Sequence, residues 1–395
     1  EWQIENLKAS GLTDIVLVIG HLGEVIKDYF GDGSRWDVTI SYFIETQPLG
    51  TAGALFRMPE LQEDFLLMSG DVMLDVDFNR FINFHKEHQA LASLTVHPNN
   101  HPFDSSLIVT EILPASYGGM PIHTNRVVKW MNKEDERLYY RNIVNAGIEM
   151  ISPRLLEEAR AKLPSLDKVD LDRDVLKPAI ESGKIYAYET SEYIKDMGTP
   201  ERLIEVENDL LSGKIAAHNL SVKQKAVFLD RDGTINKTSG FLTDINDFEL
   251  IEGAAEAIKQ INKSGYLAVV VTNQPVIARG ECSFEQLQEI HNKMETLLGK
   301  EGAFIDGLFL CPHHTDKGFE GERIEYKLDC ECRKPKAGLF VQAQKALNID
   351  LSQSYMVGDS AIDIKAAENA GCKKALLIET NAKNALLSVV NDILK

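Results

Sequence analysis

The chain reads as two α/β domains in tandem. Three observations predict this. Its 395 residues exceed one ordinary core. Short apolar runs ending in glycine or aspartate alternate with helix-like stretches, as in layered sheets with mainly parallel strands. The alternation gives way to a polar, helix-prone stretch at 201–224 and restarts at Lys225. Domains are therefore expected at 1–205 and 225–395, with a linker helix at 206–224. Hydrophobic residues make up 44% of the chain, enough for sizeable cores. The net charge of −18 argues against a nucleic-acid partner, since phosphate backbones are bound by basic surface. No apolar run approaches the roughly 20 residues that span a bilayer, and no signal peptide is visible. A cytoplasmic enzyme acting on small molecules is expected; homo-oligomerisation is left open.

In order along the first half, 1–11 opens as a helix, and Asp14 to Gly20 is an apolar run expected to be a buried parallel strand. Glu24 to Phe30 reads as helix, Trp36 to Phe43 as an alternating strand, and Phe65 to Ser69 as a further buried strand ending at Gly70-Asp71. A helix and the strand Leu91 to His97 follow. In the second half, 225–230 and Tyr266 to Thr272 are strands flanking the helix Ala254 to Ser264. Ser283 to Leu298 is a helix opened by a capping box, Ser283 with Gln286 three residues on. A strand lies within Ala303 to Cys311, Leu339 to Leu347 is helical, and Ser354 to Val357 is a strand ending at Gly358-Asp359.

The chemistry concentrates at these strand ends. Asp230 and Asp232 flank Arg231 just before Gly233-Thr234, where open α/β sheets place their ligands. One carboxylate can attack phosphorus while the other protonates the leaving oxygen. Such an acidic pair can also be a mere turn former. The next strand ends at Thr272-Asn273-Gln274, offering hydroxyl and amide donors to a phosphate. Lys334 follows in a basic stretch, Arg333 to Lys336, and Asp359 ends the last strand with Asp363 one helical turn on. Asp359 could complete a cation site, and Asp363 could orient a lysine or a metal-bound water. Cys311-Pro312-His313 and Cys330-Glu331-Cys332 make two close ligand pairs across a loop, a closed Cys₃His set of the kind favoured for structural zinc. His314 is a substitute for His313, and free buried thiols are the plainer alternative; a disulfide is disfavoured in the cytoplasm.

Four strand-end motifs in this order resemble the haloacid dehalogenase superfamily. The resemblance implies Asp230 as nucleophile, Asp232 as general acid/base, Thr272 as phosphate ligand and Lys334 as charge-stabilising lysine. It further implies magnesium held by Asp230, the Asp232 backbone carbonyl and Asp359. The zinc loop is similar to the histidinol-phosphatase-like branch. Within it, residues 230–236, Gly240-Phe241-Leu242, 247–249, Thr272-Asn273-Gln274, 277–280 and 332–336 look closest to heptose 1,7-bisphosphate 7-phosphatases. That similarity carries Gly240, Phe241, Asn273, Gln274 and Arg333 over as substrate contacts. Pro275-Val276 departs from the Ser-Gly pair expected there, which touches anomer or substrate preference.

The first half resembles sugar-1-phosphate nucleotidyltransferases over about 1–205, a Rossmann-like fold. The glycine-bearing loop Glu45 to Ala54 leads into an expected helix; Gly70-Asp71, Asn145-Ala146-Gly147 and 196–200 add polar groups at element ends. By resemblance, the loop with Gly50 and Thr51 contacts the base of a nucleoside triphosphate. Asp71 and Asp196 hold magnesium, Asn145 and Gly147 contact the sugar, and Asp172-Arg173-Asp174 replaces a Glu-Lys-Asp pattern. The family's glycine-rich loop, with its catalytic arginine and lysine, is expected ahead of Glu1. As written, the chain is thus expected to be a fragment of a longer product, or to have lost transfer, and to bind nucleotide poorly.

The pairing is chemically consecutive: a heptose 1,7-bisphosphate loses its 7-phosphate, and the heptose 1-phosphate is then activated as an NDP-heptose, GDP by resemblance. The alternatives are a phosphatase with a non-catalytic binding or oligomerisation module, and a histidinol-phosphatase.

Overall fold

The computed structural model describes residues 1–59 and 61–395. The N-terminal half runs α1 (Trp2–Ala9), β1 (Asp14–Ile19), α2 (Gly23–Phe30), β2 (Thr39–Ile44), β3 (Phe65–Met68), β4 (Val72–Asp75), α3 (Phe78–His88) and β5 (Ala92–His97). It continues β6 (Leu107–Leu113), β7 (Ile122–Met131), β8 (Val144–Ile151), α4 (Pro153–Arg160), α5 (Lys177–Ala179), β9 (Ile185–Glu189) and β10 (Tyr193–Asp196). Six strands form one sheet in the order β3-β8-β5-β9-β7-β6, with a core of Leu94, Ile151, Leu155, Val175 and Ala187 against it.

Four expectations need correction here. The main sheet is mixed: only β5–β9 is parallel, because β6, β7 and β8 return through hairpins and loops that need no crossover helix. Strand β1 is parallel to β2 but not buried. The two form a separate sheet, and Val16 and Val18 are 45% and 44% exposed. Trp36 sits in a 3₁₀ turn, not in the strand, because left-handed residues at Gly33 and Asp37 turn the chain before Thr39. The helix expected after the Leu49–Ala54 loop is a four-residue 3₁₀ turn, Gly53–Phe56; Pro59 biases Met58 away from helical backbone and stops it there.

Helices α6 (Pro200–Leu211) and α7 (Lys214–Ala217) follow, with the Thr199 hydroxyl capping α6 by accepting from the Arg202 amide. Val206 and Ile215 pack on Tyr193, so this helical stretch lies against the N-terminal domain. Among the described residues no helix is long and apolar enough to cross a membrane.

The C-terminal half comprises β11 (Lys225–Leu229), α8 (Ala254–Asn262), β12 (Tyr266–Asn273), α9 (Phe284–Lys300) and β13 (Gly307–Cys311). Then come α10 (Gly338–Leu347), β14 (Tyr355–Gly358), α11 (Ala361–Ala370), β15 (Lys374–Leu377) and α12 (Ala385–Ile393). Its five strands are all parallel, ordered β13-β12-β11-β14-β15. Helices cover both faces, so β11 and β12 are apolar nearly throughout: Val227 and Val270 face one core, Phe228 and Val269 the other. Since β12 and β14 flank β11 on opposite sides, the strand order reverses at β11, and the crevice at such a point is where α/β sheets bind ligands. The two halves meet along α9. Thr296 Oγ1 accepts from the Tyr140 amide (2.9 Å) and Glu295 Oε2 from the Asn142 amide (2.7 Å).

Candidate active site

Asp230 leaves the carboxyl end of β11, its amide donating to the Val357 carbonyl at 3.0 Å. The chain then turns at Gly233, where φ is +80° and a Cβ would lie 2.1 Å from Asp359 Oδ2. Only glycine fits there, and the turn brings Asp230 and Asp359 into one pocket. Lys334, buried, reaches in from the loop after β13. Its Nζ lies 2.8 Å from Asp230 Oδ1, 2.6 Å from Asp363 Oδ1 and 2.8 Å from the Val271 carbonyl. Asp363 also closes a capping box with Ser360 at the start of α11, which fixes its orientation. Burial raises the Asp230 carboxyl to about 6, with the Lys334 ammonium working against it. Asp359 is likewise raised by burial, opposed by a hydrogen bond from Thr380.

Asp232 stands apart from this cluster. Its Oδ1 accepts from Arg231 and from Asn236 Nδ2 (3.0 Å), and its Oδ2 from Arg231 and from Gln274 Nε2 (2.9 Å). Arg231 and these amides hold its carboxyl below the usual range despite burial. Gln274 therefore grips Asp232, and Asn273 grips the Lys334 backbone through both amide atoms. Neither side chain is turned to a phosphate as the sequence led us to expect. Thr272 Oγ1 accepts from Gln274 Nε2, which leaves its own proton to donate. Arg333 Nη1 donates to the His313 carbonyl at 2.9 Å. Phe241, half exposed next to Gly240, carries the Arg279 guanidinium 4.6 Å from its ring, and Arg279 also stacks on Phe319 at 4.0 Å. Val276 is buried with Ile277 and Ala278 in a small separate core, so the Pro275-Val276 departure packs inward.

Cys311, His313, Cys330 and Cys332 converge. Sulfur–sulfur distances are 3.2 to 3.5 Å, and His313 Nδ1 is 3.6 and 3.4 Å from Cys311 and Cys332. All five cysteines are free. Disulfide sulfurs lie about 2.05 Å apart, whereas edges of this length suit thiolates around a tetrahedral ion. His314 stays outside, its Nδ1 accepting from the Asp316 amide.

A cleft of about 2160 Å³ is lined in the N-terminal half by Gly50, Thr51, Asp71, Asn145, Gly147 and Asp196, as well as by β1 and β3, and in the C-terminal half by Lys259, Asn262 and Asp306. Gly50 and Thr51 are pinned to 169–171: Ala52 N donates to the Val169 carbonyl, and Leu171 N to Thr51 Oγ1 (2.7 Å). Asp71 and Asp196 flank Gly198, whose Cβ position is 3.8 and 3.5 Å from their carboxylates. Asp196 Oδ1 also pairs with Arg202. The Gly147 carbonyl accepts from Ser69 N, and Asn145 Oδ1 is buried without a partner.

Residues 1–213 match the family described as Nucleotidyl transferase, and 331–388 the HAD-hydrolase-like family. Over 158 residues the chain is 51% identical to the D-glycero-beta-D-manno-heptose-1,7-bisphosphate 7-phosphatase of Haemophilus ducreyi, covering 40% of this chain and 84% of that one. The chain belongs to both families, a nucleotidyl transferase fused to a haloacid dehalogenase-type phosphatase. Among solved structures it resembles the D,D-heptose 1,7-bisphosphate phosphatase of B. bronchiseptica complexed with magnesium and phosphate. That match has 29% identity, 43% of this chain, 98% of the other and a TM-score of 0.38. It also resembles HddC of Yersinia pseudotuberculosis complexed with GMP-PN, at 20% identity, 53% of this chain, 84% of the other and a TM-score of 0.41.

Two features of this fusion escaped the sequence reading. In the phosphatase domain, Arg231 is wholly buried and forks onto Asp232, with His291 Nε2 2.9 Å from its Nη1. In the transferase cleft, Glu149 is pushed up to about 8 by burial and the charge of Asp172. Its place on β8, two residues after Gly147, was the available signal.

Proposed function

We propose that this fusion removes the 7-phosphate of D-glycero-D-manno-heptose 1,7-bisphosphate in its C-terminal domain. The N-terminal domain then converts heptose 1-phosphate to an NDP-heptose, GDP-heptose by sequence resemblance, in the cytoplasm. The observation that carries the first half is the convergence of Lys334 with Asp230, Asp359 and Asp363 at the carboxyl ends of a parallel sheet. The 51% identity to a named 7-phosphatase supports the choice of sugar.

In this reading Asp232, ionised in the free site, takes up a proton from the entering phosphate; Asp230 then attacks phosphorus, the bond from phosphorus to the sugar oxygen breaks, and Asp232 passes that proton to the oxygen, leaving an aspartyl-phosphate. Asp232 then takes a proton from water as the water oxygen attacks phosphorus, which restores the Asp230 carboxylate and frees inorganic phosphate. The Lys334 ammonium opposes the rise that burial causes at Asp230 and so favours the carboxylate that attacks. Lys334 steadies phosphate charge, Thr272 donates to a phosphate oxygen, and Gly240, Phe241 and Arg333 line the sugar side, with Asn273 and Gln274 behind them. Three carboxylates against one ammonium leave a charge of 1 − 3 = −2 within the cluster, which suits a divalent cation. Asp230, Asp359 and the Asp232 carbonyl would hold magnesium, which neutralises phosphate oxygens when bound. Cys311, His313, Cys330 and Cys332 would hold a structural zinc. In the transferase domain Gly50 and Thr51 would meet the base, Asn145 and Gly147 the sugar, and Asp71 with Asp196 a magnesium ion.

A phosphate-release panel of heptose bisphosphate, histidinol phosphate and simple monoesters tests the phosphatase. The bisphosphate is expected to lead in kcat/KM by about a hundredfold or more, and Asp230→Asn to cut kcat more than about a thousandfold. Equal rates across the panel would sink the substrate; a tenth of the activity left in Asp230→Asn would sink the nucleophile. A second reading, with the N-terminal domain only a binding module, is favoured by the Arg202 pair on Asp196. NDP-heptose formation from GTP or ATP would exclude it.

A further inference from the structure

The imidazole of His313 has two nitrogens with different neighbours. Nδ1 faces the sulfurs of Cys311 and Cys332, whereas Nε2 points out of the phosphatase domain and lies 3.2 Å from the carbonyl oxygen of Gly118. Gly118 belongs to the transferase domain, at the tip of the β6–β7 hairpin. Beside it, the hydroxyl of Tyr326 donates to the Gly119 carbonyl at 3.0 Å, and the Tyr326 ring is buried in the small core of Val276, Ile277 and Ala278. The fit is close: Gly118 has φ +67°, and a Cβ there would stand 2.6 Å from the Glu325 carbonyl oxygen.

We propose that the β6–β7 hairpin of the transferase domain is the outer support of the zinc site, which makes the metal centre a joint between the two domains. This rests on the zinc reading given above. A histidine that ligates through Nδ1 carries its proton on Nε2, and metal-bound histidines as a rule donate that proton to a carbonyl or carboxylate that fixes the ring. Here the acceptor comes from the other domain. The joint also reaches the phosphatase centre: Arg333 donates to the His313 carbonyl, and the next residue is Lys334. The hairpin, the zinc loop and the lysine thus share one chain of contacts.

The test is zinc release from the full chain to a chromophoric chelator. In one variant, residues 114–121 are replaced by an Asn-Gly turn, which closes the hairpin directly on the Leu113–Ile122 pair. In another, Tyr326→Phe removes one hydroxyl and keeps the ring. Wild type is expected to hold one zinc per chain. The shortened hairpin is expected to release it about 10- to 100-fold faster, the usual cost of losing such a support, and Tyr326→Phe about fivefold faster, the worth of one hydrogen bond. Stripping zinc from wild type is expected to speed hydrogen exchange at Tyr117 to Met120. Release at the wild-type rate by a zinc-loaded shortened chain overturns the joint alone; if that variant does not fold, an unchanged rate in Tyr326→Phe does so. A wild type without zinc overturns the metal reading and the joint together.

Discussion

Arg231 carries a full charge into a place without solvent, and it does so because each guanidinium nitrogen meets an acceptor. Nε and Nη2 take Asp232, Nη2 also takes Gln274, and Nη1 takes His291. Burial and the neighbouring guanidinium push the His291 imidazole down to about 3, so it stays neutral and its Nε2 can accept. The fork fixes Asp232, the proposed general acid/base, from behind while its partners do the same from the sides. Arg231→Gln is expected to destabilise the phosphatase domain by roughly 3–5 kcal/mol, because it leaves the Asp232 charge without its counterion. It should lower kcat as well, since Asp232 is no longer held in place. Urea unfolding monitored by fluorescence measures the first effect, and a variant as stable as wild type would remove Arg231 from this account. None of this could be read from the sequence. Asp-Arg-Asp points to the proposed nucleophile, but the partners of the arginine lie 43 and 60 positions away, and only the fold brings them together.

Elements in the phosphatase half were legible because parallel strands covered on both faces are apolar almost without interruption, as in β11 and β12. The capping box of α9 was visible for the same local reason, two side chains three residues apart. The transferase half hid more. Strand β7 alternates exposed and half-buried residues with single buried ones, and β4 is only four residues long, so neither carries a clear period. The Leu49–Ala54 loop was found by its glycines, but what holds it is the backbone of Val169, 120 positions downstream and outside any local pattern. The zinc loop is the element whose fate is easiest to test. Cys330→Ser is expected to lower the thermal midpoint by several degrees while turnover per folded molecule stays within about twofold, because a structural metal contributes to folding and not to the reaction. Calorimetry with active-site titration separates the two; equal losses in both would place the loop inside the catalytic step.

Among the described residues Glu149 is raised to about 8, and Glu295 and the part-buried Asp306 to about 7, in each case first of all by burial. In the unfolded chain they titrate near 4. The folded state therefore binds their protons more tightly, and the stability they lend is complete below about pH 4 and lost as pH rises through 7 to 8. The part-buried His97 and the buried His218, both held down to about 4, act in the opposite sense, but only below the ordinary histidine range. The thermal midpoint is thus expected to fall between pH 6 and pH 8.5. Glu295→Gln, which keeps an acceptor for the Asn142 amide without a charge to bury, is expected to flatten that slope. An unchanged slope in this variant would mean that Glu295 is already ionised at the contact. The position of Glu295 also decides how the molecule can be divided. A phosphatase cut free after the linker keeps its parallel sheet and both faces of its core, and returns Glu295 and Thr296 to water, where a carboxylate is at ease. The other piece loses the acceptors for the Tyr140 and Asn142 amides at the root of β8, the strand that carries Asn145 and Gly147. Gene fission would leave the transferase piece with an open seam beside its cleft, and the phosphatase piece with His313 Nε2 and the Tyr326 hydroxyl stripped of their acceptors.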